Sequence, residues 1–176
     1  NQVSYGFTNN ISMGVGMVPL FLFAGAPTPV WLTPKVSFPI VKDKINIGAG
    51  ALVGTVLGED GFGFGLLYGM STFGSRDKNI TIGLGWGYAD GEMGSRPTIN
   101  VSGMLRTSRN WYLMTENYYL DFGGGGLGLI SFGARRMYKK LGLDFGLFMP
   151  FSTDDITFFA LPWLGITLPF GKKTKF

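Results

Sequence analysis

Along most of this chain a large apolar residue stands at every second position, with small residues between. Over 79–89 (NITIGLGWGYA), Ile80, Ile82, Leu84, Trp86 and Tyr88 alternate with Thr81, Gly83, Gly85, Gly87 and Ala89. Over 61–73, Phe62, Phe64, Leu66, Tyr68 and Met70 alternate with Gly63, Gly65, Leu67, Gly69 and Ser71. The stretches 10–23 and 141–151 repeat the pattern, with Ile11, Met13 and Val15 in one and Leu143, Phe145 and Leu147 in the other. Successive side chains of a strand point to opposite faces, so a period of two gives each strand one large apolar face and one small, glycine-rich face. Helical spans do not fit. The longest charge-free run, Val3 to Pro34, contains Asn9-Asn10, Gly14, Gly16, Pro19, Pro27 and Pro29. The other uncharged runs fall short of the ~20 residues a membrane helix needs.

Eleven such segments are expected: 1–8, 10–23, 31–41, 44–57, 61–74, 79–89, 97–107, 110–121, 126–138, 141–151 and 156–170. Most reach the ~9–11 residues with which a tilted strand crosses a bilayer. Between them lie short turn-like links: Asn9-Asn10, Lys42-Asp43-Lys44, Gly58-Glu59-Asp60, Asp90-Gly91, Gly123 to Gly126 and Asp154-Asp155. Consecutive strands joined by tight turns form antiparallel hairpins, hence a meander.

The charges sort by turn number. One set of alternate turns, with the C-terminal tail, holds thirteen of the fifteen basic residues. They run from Lys42, Lys44, Arg76 and Lys78 through Arg106, Arg109, Arg135 and Arg136 to Lys139, Lys140, Lys172, Lys173 and Lys175, against only Asp43 and Asp77. The other set holds Glu59, Asp60, Asp90, Glu92, Asp121, Asp154 and Asp155, with Arg96 its only cation. A soluble sheet has no reason to gather anions at one end and cations at the other. A barrel standing across a membrane has two distinct ends. An open sheet in lipid would leave edge groups unsatisfied at several kcal/mol each, so the wall must close. A soluble barrel would put its large apolar residues inside and polar ones outside. The expected fold is therefore all-β: residues 1–176 as a single transmembrane, antiparallel, up-and-down β-barrel domain of 10–12 strands. Eleven strands would leave the first and last parallel. Twelve, with one strand preceding residue 1, restores the even count of bacterial single-chain barrels.

The segments GFGFGLLY (61–68), NITIGLGWGY (79–88) and PWLGITLPF (162–170) resemble strands of bacterial outer-membrane β-barrel proteins. The resemblance is one of pattern over nearly the whole chain and picks out no characterised subfamily. It implies a C-terminal aromatic read by the barrel-assembly machinery, a role open to Phe170 or Phe176. It also implies short periplasmic turns. The basic rim and C-terminus would then be periplasmic and the acidic rim extracellular.

With neither cysteine nor histidine among 176 residues, no thiolate nucleophile, Ser-His arrangement or Cys/His metal site is available. Neither a metal nor a cofactor is expected. The pI of 9.4 does not point to nucleic acid, since the basic residues sit at hairpin tips without interleaved aromatics. Gly63-x-Gly65 and Gly83-x-Gly85-x-Gly87 lie within strands with no helix following, so no phosphate loop is read from them. Glu59-Asp60 and Asp154-Asp155 are read as solvated loop charges.

Lys35 and Asp144 fall on the small-residue face and Arg106 on the face of Asn100 and Ser102; with Glu116, a further charge inside a strand, they are the expected lumen charges, Asp144 lying nearer Arg106. Buried charges are usually paired, so an internal ion-pair cluster is the first reading and a solute filter the second. Glu116-Asn117 puts two polar residues in sequence at mid-strand, which implies a bulge or a wall that touches another protein. Trp31, Trp86, Tyr88, Trp111, Tyr138 and Trp163 are expected in aromatic girdles. The glycine face is read as room for large neighbours more than as an open passage.

Three function classes follow. The favoured one is a non-catalytic structural or accessory subunit of an outer-membrane assembly, whose partners are the bilayer and another outer-membrane protein. Close behind is a narrow passive pore for small solutes or ions. An enzyme comes last.

Overall fold

In the computed structural model, the chain is described over residues 2–58, 62–121, 126–139, 141–152 and 159–168. It opens with β1 (Gln2–Gly6) and β2 (Ile11–Met17), followed by one turn of helix, α1 (Pro19–Phe23). Then come β3 (Thr28–Val41), β4 (Ile45–Leu57), β5 (Gly63–Gly74), β6 (Lys78–Ala89) and the two-residue β7 (Glu92–Met93). The chain ends in β8 (Thr98–Arg106), β9 (Trp111–Asp121), β10 (Gly126–Tyr138), β11 (Leu141–Ser152) and β12 (Leu161–Thr167). All twelve strands belong to one antiparallel sheet. Its path follows the chain, with β7 standing aside as a partner of β6 only. Eleven strands therefore make the wall, so β1 and β12 run the same way. Among the described residues no ladder joins them, and they are the two edges of the sheet.

The local chemistry explains most element ends. Asp90 (φ 52) and Gly91 (φ 83) are both left-handed, the two-residue turn that matches strand twist. This turn closes the small β6–β7 hairpin. Gly74 sits at φ 111, and a Cβ there would strike the Lys78 carbonyl, so only glycine fits. The expected strand 10–23 ends instead at Met17. Pro19 lacks an N–H for the ladder and has its φ preset for the first turn of a helix. Val18 N donates the last bond, to Pro29 O at 3.4 Å. Among the described residues the ladder register shifts between Pro39 and Val41, beside a proline that has no N–H to donate.

Polarity is inverted relative to a water-soluble domain. Among the described residues no apolar side chain is buried, while Thr28, Thr98, Ser131 and Asp144 are. Most large apolar residues of β2, β3, β6 and β11 stand outward and exposed, as with Leu84 at 50% and Leu147 at 45%. The sheet is curled with the opposite face inward, because one cavity of about 610 Å³ is lined jointly by Ser12 of β2, Lys35 of β3, Thr81 of β6 and Glu116 of β9. In β5 the faces are exchanged. Leu66, Tyr68 and Met70 line that cavity, and Gly65 and Gly69 look outward. The large apolar set of this strand is thus the inward one, contrary to the single outward apolar face read from its alternation.

Candidate functional site

Cross-strand register decides which residues meet inside. Gly50 pairs with Tyr68, Tyr68 with Gly85, and Gly54 with Phe64. A Cβ on Gly50 would come within 2.5 Å of the Tyr68 hydroxyl, and one on Gly54 within 2.5 Å of the Phe64 ring. Trp31 fills the space over Gly16, and Trp163 the space over Gly146. Gly16, Gly50, Gly54 and Gly146 are therefore seats for inward aromatic rings, whereas Gly14 and Gly142 sit beside polar side chains. This corrects two expected girdle positions. Trp31 and Trp163 face the interior, Trp31 donating from Nε1 to Gln2 Oε1 at 3.3 Å. A large ring across from glycine is packed more densely there than it would be against lipid. Trp86, Tyr88, Trp111 and Tyr138 do stand on the outer face. Trp111 packs edge-on against Phe145 with centroids 5.9 Å apart, and Arg136 lies 5.6 Å above its ring.

The cavity between these seats is polar. Hydroxyls come from Ser4, Ser12, Thr33, Thr72 and Ser102, and amides from Gln2 and Asn100. Thr72 and Thr81 hydroxyls are hydrogen-bonded at 2.8 Å. Its two charges are Lys35 on β3 and Glu116 on β9. The Glu116 carboxylate accepts a hydrogen bond from Tyr118 Oη. Among the described residues no carboxylate lies within ion-pair distance of Lys35.

The other two expected lumen charges face inward but do not meet. Asp144 is held by Arg135, with Nε to Oδ1 at 2.6 Å and Nη2 to Oδ2 at 2.8 Å. Thr167 Oγ1 adds a bond to Oδ2 at 3.2 Å, so three strands are joined at one carboxylate. A bidentate arginine is the usual answer to a buried carboxylate. Arg106 instead pairs with Asp77 at 3.0 Å and donates to the carbonyls of Ser108 (3.1 Å) and Arg109 (2.8 Å). The Asp144–Arg106 proximity is thus corrected to two separate pairs. Arg135 counted only as a rim cation in the sequence. Its signal was available: the tight turn pairing Tyr138 with Leu141 brings Arg135 opposite Asp144.

Glu116-Asn117 does not form a bulge, since the β9–β10 register is the same before and after it. Side chains take over the ladder there. Ser131 Oγ donates to Glu116 O at 2.8 Å, Ser131 N donates to Asn117 Oδ1 at 3.4 Å, and Asn117 Nδ2 donates to Val101 O at 3.1 Å. Asn117 faces outward with its amide satisfied inside the sheet.

At the ends, register confirms that turns 42–44, 75–77 and 107–110 and residue 139 share one rim. A hollow of about 680 Å³ there is lined by Lys42, Lys44 and Arg76 with Asp43, and one of about 520 Å³ by Arg106, Arg109, Tyr112 and Lys139. Glu59-Asp60, Asp154-Asp155, Lys140, Phe170, Phe176 and the tail lysines lie outside the described residues. Among the described residues no three metal-ligating side chains converge. Compared with known families, curated proteins and solved structures, the chain matches none.

Proposed function

We propose that the chain forms the wall of an integral barrel in the bacterial outer membrane and is a non-catalytic passage for small polar solutes or ions. The basic rim and C-terminus face the periplasm in this reading, and the acidic loops face outward. One observation carries it: apolar side chains are exposed outside while a hydroxyl- and amide-lined cavity holds Lys35 and Glu116 inside. In water this arrangement would expose apolar patches far beyond the few hundred Å² of a soluble monomer. In lipid it is the stable one. The hydroxyl- and amide-lined cavity is the observation for which we place the pore ahead of the accessory subunit.

The accessory reading keeps one supporting observation, the edges β1 and β12, which no ladder joins among the described residues. Since they run the same way, an all-antiparallel closure takes one further strand between them, running opposite to both.

Single-channel recording on the refolded, heat-modifiable protein in a planar bilayer separates the two. Reproducible conductance steps support the pore. A folded but silent barrel that co-purifies from mild detergent with another outer-membrane protein supports the accessory subunit.

A further inference from the structure

Inward charges are usually paired, as Asp144 is with Arg135. Lys35 and Glu116 line one cavity of about 610 Å³, yet among the described residues neither stands in an ion pair. In sheet order Lys35 lies on β3 and Glu116 on β9, with β5 between them. The surroundings of the two charges differ in kind. Beside Lys35 the side chains are placed to donate. Ser12 is its partner in the β2–β3 ladder. Gln2 Nε2 donates to Ser4 Oγ and to Thr33 Oγ1 at 3.1 Å each, which leaves both hydroxyl protons for an acceptor. Beside Glu116 the side chains are placed to accept. Its carboxylate takes a hydrogen bond from Tyr118 Oη and keeps further lone pairs. Asn100 Nδ2 is engaged by Asn117 O at 3.1 Å, and its Oδ1 lies over Gly83, which also lines the cavity. Between these two groups Leu66, Tyr68 and Met70 of β5 put a largely apolar wall into the polar cavity. Tyr68 reaches over Gly50, the ladder partner of Lys35.

We infer that this cavity binds a small zwitterion with an apolar body, a free amino acid or short peptide whose carboxylate meets Lys35 and whose ammonium meets Glu116. The hydroxyls of Ser4, Ser12 and Thr33 complete the hydrogen bonds of the carboxylate. The Asn100 carbonyl joins Glu116 in accepting from the ammonium. Hydrogen bonds with an ionised partner are about twice as strong as neutral ones, so the two ends supply the affinity. The wall of β5 takes the apolar body, which gives its inward large residues a use. The volume lies within the roughly 300–1,000 Å³ of small-molecule sites. A sugar would use the hydroxyls and amides but leave both charges unanswered, and an inorganic ion would answer only one. The inference deepens the passage reading by naming its solute. It rests on that reading for what becomes of the ligand, whereas binding itself requires only the folded cavity.

The experiment is calorimetric titration of the full chain, refolded in detergent micelles and checked by heat-modifiable mobility, with L-leucine and with L-leucyl-L-leucine. At least one of them should bind a single site with a Kd of about 1 mM or tighter. Acetylating the amine of that probe, or amidating its carboxylate, should each weaken binding about tenfold or more. Replacing its leucines by glycine should also weaken binding about tenfold or more. The variant Lys35→Met should bind the free carboxylate and the amide alike, and Glu116→Gln should bind the free amine and the acetyl derivative alike. Folded protein that binds neither probe overturns the inference. Blocked derivatives that bind as tightly as the free probe overturn it too, as do folded variants that still tell them apart. If neither variant folds, the derivative series on the unmodified chain decides. Conductance by a chain that binds neither probe overturns the inference and leaves the passage standing. Binding with the expected selectivity by a barrel that stays silent in a bilayer supports the inference and removes the passage.

Discussion

Strands β5 and β6 are partners in one hairpin, yet they turn opposite kinds of face to the interior. Strand β6 keeps Ile80, Ile82, Leu84 and Trp86 outside and Gly83, Gly85 and Gly87 inside. Strand β5 keeps Leu66, Tyr68 and Met70 inside and Gly65 and Gly69 outside. Register makes the difference complementary. Inside, Met70 pairs with Gly83, Tyr68 with Gly85 and Leu66 with Gly87. Outside, Gly65 pairs with Tyr88 and Gly69 with Leu84. Tyr88 leans over Gly65 and Tyr68 stands against Gly85, whereas Met70 approaches Gly48 on its other side. A glycine's place is therefore set by what stands across from it, and a strand's alternation reports size before it reports side.

The largest effect expected from this comparison comes from two neighbours on β5. Leu67 is outward and 52% exposed, at mid-strand, and Leu66 lines the cavity. If the sheet stands in lipid as proposed, Leu67→Lys should destabilise it by about 2–4 kcal/mol, the cost of lysine near the bilayer midplane. Leu66→Lys should cost much less. Urea unfolding in vesicles measures both, and equal losses would mean that β5 does not separate lipid from a polar interior. Next comes the seat itself. A Cβ on Gly85 would lie 2.6 Å from the Leu67 carbonyl and 2.9 Å from Tyr68 Cβ. Gly85→Val should cost about 1–3 kcal/mol through overpacking. A variant as stable as the parent would show that the Leu67 carbonyl and Tyr68 Cβ do not crowd that position.

The smallest effect probes the same device on the far side of the wall. Trp163 covers Gly146 with its Nε1 buried and, among the described residues, without a hydrogen-bond partner. Trp163→Phe keeps a ring over the glycine and removes an unpaired donor, so its stability should stay within about 1 kcal/mol of the parent or rise. A much larger loss would mean that the indole N–H is bonded in the membrane-embedded protein.

Two ion pairs extend the lesson to charge. Asp144 has 8% side-chain exposure beside Arg135, whereas Asp77 has 53% beside Arg106. The sequence marked Asp144 as an inward strand charge and Asp77 as a turn residue, which is where they are. It did not assign their partners, because a pair forms between residues brought opposite by register and side-chain reach. Asp144 meets Arg135 across one hairpin. Asp77 meets Arg106 across the β6–β8 ladder, twenty-nine positions along the chain.

Strand positions and the division of the turns between two ends were legible because both rest on local rules. Period two follows from the pleat. Turn residues such as Asp90-Gly91 follow from allowed backbone angles, and a meander sends alternate turns to the same end. The helix α1 was missed although its signal, Pro19 after Val18, is also local; the alternation of Met17, Phe21 and Phe23 across it carried the strand reading past the proline.

By itself, then, the sequence determined an antiparallel sheet of short-linked strands with basic and acidic residues at opposite ends. Only the tertiary structure decided which face of β5 turned inward, that Trp31 and Trp163 left the girdles, and which carboxylate each arginine holds. Alternation within a strand relates its residues to one another and says nothing of inside or outside. That choice is made by the bulk of the residue across the ladder and by the curl of the whole sheet, both of which depend on strands distant in sequence.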